Sequence, residues 1–65
     1  MQPSTVIDSA SAKLRAAGWS IGDMGSDSGW IVFGQRGDHR LLVFGATQSE
    51  AWKLALADAE SRGLV

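Results

Sequence analysis

Residues 30–35 and 40–44 form two runs rich in β-branched and aromatic side chains, separated by Arg36-Gly37-Asp38-His39. Such runs favour strands, and a Gly-Asp pair supplies the positive φ that a two-residue type I′ or II′ turn demands. The pattern predicts an antiparallel hairpin, 30–35/40–44. Centring it on Gly37-Asp38 puts Phe33 opposite Leu42 and Val32 opposite Val43. One face then shows Ile31, Phe33, Leu42 and Phe44, and the other Trp30, Val32, Leu41 and Val43. A sheet with one solvated face alternates apolar with polar residues, whereas here both faces are apolar. Two short helices most naturally cover one face, and the second apolar face needs either a helix of its own or another molecule.

The flanking segments read as those two helices. Val6, Ile7, Ala10, Leu14 and Ala17 recur at three- and four-residue steps, predicting an amphipathic helix over 4–17. Ser4 or Thr5 can cap its start, Asp8 completes a capping box with Thr5, and Gly18 suits a left-handed stop. Thr47-Gln48-Ser49-Glu50 is a capping box that opens a second helix over 48–62. Its apolar stripe is Ala51, Trp52, Ala55, Leu56 and Ala59, and Gly63 ends it. Between the first helix and the hairpin, Trp19 and Ile21 alternate with Ser20 and Gly22, as in a short strand over 19–22. The glycine, serine and aspartate of 22–29 read as a turn or mobile loop. The predicted class is α+β, ordered α-β-β-β-α, with a three-stranded antiparallel sheet.

With 65 residues the chain has room for one domain of marginal stability. It has no cysteine and one histidine, so disulfides, thiolate zinc sites and histidine-rich metal sites are excluded. Its formal charge of −1 argues against nucleic acid, whose binders gain affinity from a basic surplus. No apolar run approaches the roughly 18 residues of a membrane span. The first eight residues lack the basic region and apolar core of a signal peptide. The expectation is a cytoplasmic protein that needs neither metal nor cofactor.

The element order, with Gly45-Ala46-Thr47-Gln48-Ser49-Glu50-Ala51 followed by Ala55 and Ala59, resembles the double-stranded-RNA-binding domain. The run from Gly45 to Trp52 also resembles small bacterial domains ending in G-x-T-Q-x-E-A-W, to which no activity is attached. The first resemblance implies the α-β-β-β-α fold without the RNA-binding residues. That family grips phosphates with lysines at the start of its last helix, where this chain has Gln48, Ser49 and Glu50, with Lys53 alone. Its groove-reading loop corresponds here to the acidic segment 23–28.

Chemistry-bearing candidates are few. Arg36, His39 and Arg40 make a basic tip to the hairpin that could touch a phosphate or an acidic partner. Arg36-Gly37-Asp38 reads more simply as turn chemistry, and the acidic segment lacks the alternating ligands of a calcium loop. No nucleophile or second carboxylate accompanies His39, so no enzymatic activity is expected. Trp30, Val32, Leu41 and Val43 are expected to form an outer apolar face that self-associates as a homodimer or docks on a partner protein. The alternative is a weak nucleic-acid-binding domain.

Overall fold

A computed structural model describes residues 5–65. In chain order it has α1 (Thr5–Ala16), β1 (Ser20–Ser26), β2 (Gly29–Arg36), β3 (His39–Gly45) and α2 (Gln48–Ser61). The strands form one antiparallel sheet in the order β1-β2-β3. The predicted α-β-β-β-α order and α+β class hold.

The β2–β3 register is the one that the turn dictates: Phe33 pairs with Leu42, Val32 with Val43 and Arg36 with His39. Gly37 has φ 59°, whereas among the described residues no non-glycine has positive φ, so the turn is type II′ rather than I′. β1 is longer than expected. The segment read as a loop pairs with β2 as far as Ser26 opposite Gly29, which leaves Asp27 and Ser28 as the turn. Pairing with a strong central strand overrides the low strand propensity of glycine and aspartate.

Both helices lie on one face of the sheet and run the same way. Val6, Ser9 and Ala10 of α1 lie beside Lys53 and Leu56 of α2. Each helix ends in the same device. The Trp19 N–H donates to the Leu14 carbonyl at 3.0 Å, and the Leu64 N–H to the Ala59 carbonyl at 2.9 Å; both are the six-to-one bond of a Schellman motif. The two motifs join, because Trp19 Nε1 donates to the Leu64 carbonyl at 3.0 Å.

The start of α2 is capped as predicted. The Glu50 N–H donates to Thr47 Oγ1 at 3.1 Å, and the Glu50 carboxylate accepts from the Ala46 N–H at 2.7 Å. The caps proposed for α1 at Ser4 and Thr5 lie outside the described side chains. α2 meets β3 closely at Gly45, where a Cβ would sit 2.5 Å from the Ala51 nitrogen. The core beneath the helices is Ala10, Leu14, Trp19, Val32, Leu41, Ala51, Trp52, Ala55 and Ala59.

Candidate interaction surface

Parity along each strand decides which side chains the helices cover. Val32 is fully buried and Leu41 is 2% exposed, and Trp30 and Val43 pack against that core. Trp30 lies over Gly25, its cross-strand partner. The set expected to form an outer interface, Trp30, Val32, Leu41 and Val43, therefore faces the helices. The register is correct and the open face is the opposite one. The physical reason is the close approach of α2: Gly45 shares its parity with Val32 and Leu41, and only that side of the sheet admits the helix backbone.

The open face carries Met24, Ile31, Phe33, Leu42 and Phe44. Met24 is 57%, Phe33 44%, Leu42 59% and Phe44 66% exposed. These side chains come from all three strands and are mutually opposed: Met24 with Ile31, Ile31 with Phe44, and Phe33 with Leu42. Two shallow hollows flank them. One is lined by Ser20, Phe33, Gln35, Arg40 and Leu42 at the β2–β3 turn end. The other is lined by Ser26, Ser28, Ile31 and Phe44 at the opposite end.

The basic tip does not converge. Arg36 and His39 are paired on the helix-facing side, and the Arg36 guanidinium lies beside Gly18. Arg40 pairs with Gln35 on the open side. Among the described residues no group of three or more His, Asp or Glu side chains could hold a metal ion. Among the described residues no helix is long and apolar enough to cross a membrane.

The most developed polar site is Asp23, which sequence reasoning placed in a mobile acidic loop. It stands on β1 opposite Val32, on the helix-facing side. Its Oδ2 accepts from Gln48 Nε2 at 2.7 Å and from Trp52 Nε1 at 2.9 Å. These bonds, the Gln48 one foremost, hold the Asp23 carboxyl below its ordinary value of 3.8, against the opposing effect of burial. The site ties β1 to the first turns of α2. Its sequence signal was the alternation of Ile21, Asp23 and Gly25 on one side of a strand, hidden by the glycines within it and the serines that flank it.

Compared with protein-family models, curated protein sequences and solved structures, the chain matches none.

Proposed function

We propose that this chain is a non-enzymatic interaction module that binds a second copy of itself through the open face of its sheet. The observation that carries this reading is the apolar face of Met24, Ile31, Phe33, Leu42 and Phe44, on which four large side chains are 44–66% exposed. Taking about 200 Å² for each such side chain when free, those four present roughly 450 Å² of apolar surface. That lies within the range of the largest patch on an ordinary monomer, a patch that is often functional. Two copies face to face would remove about twice that area, and rim residues raise it towards the roughly 1,000 Å² that a specific interface needs.

The face also complements itself. Phe44, its most exposed member, stands at one end of the strands, and the hollow beside Phe33, Leu42 and Arg40 lies at the other. A two-fold axis across the strands lays β3 over its counterpart, head to tail, and drops each Phe44 into its partner's hollow. Sheets packed in this way lie about 10 Å apart and interdigitate.

Nucleic-acid binding is the weaker reading. The start of α2, where the double-stranded-RNA-binding family grips phosphate, here presents Glu50 and is bonded to the Asp23 carboxylate through Gln48. Anionic groups there repel phosphate.

Light scattering across a concentration series tests the proposal. Phe33→Lys should at least halve the mass of the assembly while circular dichroism is retained, because an unpaired ammonium group is costly to bury. A parent protein that stays monomeric at high micromolar concentration would refute the reading.

A further inference from the structure

The two edges of the sheet carry one arginine each but differ in the side chains beside their outward backbone groups. In a hairpin closed by a two-residue turn, the pair flanking the turn is hydrogen-bonded and the pattern then alternates. His39, Leu41, Val43 and Gly45 therefore point their backbone groups at β2, and Arg40, Leu42 and Phe44 point theirs away from the sheet. By the same rule Ile21, Asp23 and Gly25 point outward from β1. Arginines occupy two of these outward carbonyls. Arg15 donates to that of Ile21 at 3.3 Å, and Arg62 to that of Arg40 at 2.8 Å. Arg62 is itself held by Asp58 at 3.0 Å. On β1 the outward stretch that follows holds Asp23 and Gly25, whereas on β3 it holds Leu42 and Phe44. The outward N–H and C=O groups of Leu42 and Phe44 meet no described residue.

That unguarded stretch is also apolar on both sides. Leu42 and Phe44 project onto the open face. On the helix side, Leu54 lies one turn before Asp58, on the flank of α2 that overhangs β3, and it is 44% exposed. Exposed apolar edges are otherwise blunted by charge or bulges, as the arginines do elsewhere in this sheet.

We infer that the β3 edge is a second, separate contact, occupied by the β3 of another copy in antiparallel pairing, with Leu42 opposite the partner's Phe44. In this register Val43 meets its own counterpart on the two-fold axis, and four backbone hydrogen bonds form. The register centred on Leu42 instead would need the Arg40 carbonyl that Arg62 already occupies. Leu54 meets its counterpart where the two α2 helices come side by side. The edge contact goes beyond the face contact and does not depend on it. Its axis is perpendicular to the sheet and the face axis lies across the strands, so the two together close a four-chain assembly of dihedral symmetry.

The test uses Val43→Cys, which introduces the only cysteine of the chain. Val43 would form a non-hydrogen-bonded pair with its counterpart, with Cα atoms about 4.5 Å apart, within disulfide range. The expected result is a covalent dimer on mild oxidation, with native circular dichroism. Cross-linking should persist with Phe33→Lys added, and be lost with Leu54→Lys, which should weaken edge pairing at least about tenfold by opposing two ammonium groups. If the parent assembles by light scattering but Val43→Cys does not cross-link, the edge inference is overturned and the face contact stands. If the parent is monomeric throughout and Val43→Cys stays reduced, both fail.

Discussion

Leu41 and Leu42 are the same residue type, adjacent on β3 and on opposite faces of the sheet, so truncating each to alanine is a controlled measure of which face the helices cover. Leu41 is 2% exposed within the core formed with Val32, Trp52 and Ala55. Leu41→Ala removes roughly three methylene equivalents, about 2.4 kcal/mol of transfer free energy. It also leaves a cavity that the surrounding side chains fill incompletely, which brings the cost to about 3 kcal/mol. Leu42 is 59% exposed, so about two-fifths of the same transfer term is at stake, near 1 kcal/mol, and solvent replaces the missing atoms. In a domain of this size each kcal/mol lowers the melting temperature by about 4–8 °C. Leu41→Ala should therefore melt some 12–24 °C below the parent and Leu42→Ala no more than about 8 °C below it. Circular dichroism melts at low concentration, where assembly adds nothing, give the comparison. Equal shifts, or a larger one for Leu42→Ala, would mean that the helices cover the other face.

Asp23→Asn removes the charge from the bonds to Gln48 and Trp52 and should cost about 1–2 kcal/mol at neutral pH. Because folding lowers the Asp23 pKa, its contribution is present above 3.8 and is lost as pH falls through the lower folded value. The parent should lose stability below about pH 4 more steeply than the variant in urea titrations; parallel curves would contradict this. Thr47→Ala deletes the hydroxyl that accepts from the Glu50 N–H and should cost about 1 kcal/mol, read as a drop of several degrees in melting temperature. Gly45→Ala places a methyl 2.5 Å from the Ala51 nitrogen and should cost about 1–3 kcal/mol by forcing α2 away from β3, measured by chemical denaturation.

Where local chemistry is decisive, the fold was legible in the sequence. Gly37-Asp38 set the β2–β3 register, Thr47 and Glu50 marked the start of α2, and Gly18 and Gly63 marked the ends of α1 and α2 respectively. The choice of open face was not legible from hydrophobicity, because Trp30, Val32, Leu41 and Val43 are as apolar as Ile31, Phe33, Leu42 and Phe44. A usable signal lay in the glycines. Gly34 and Gly45 share the parity of Val32 and Leu41, and both are positions where a side chain would collide with a neighbour. β1 was misread beyond Ile21 because its stability comes from β2 and from the Asp23 bonds to α2, which are non-local. The interaction surface was thus anticipated as a feature of the sheet, and assigned to the wrong side of it.

The joined ends of the two helices bear on how the chain acquires its structure during synthesis. Trp19 is anchored to Leu64, and the residues that roof β2 and β3 lie between 51 and 59. The three strands are complete once residue 45 has left the ribosome, yet nothing covers the side of the hairpin bearing Val32 and Leu41 until α2 follows. At ordinary elongation rates of about 5–20 residues per second, residues 46–59 take roughly one to three seconds to follow it out. For that interval the nascent chain is a ribbon that is greasy on both sides, with the β3 edge bare. The arginines at 15 and 62 differ in timing: the one on the β1 edge is already present, and the one on the β3 edge follows only after α2. Chaperone capture of stalled chains should therefore be strongest when the portion outside the ribosome ends between residues 45 and 60.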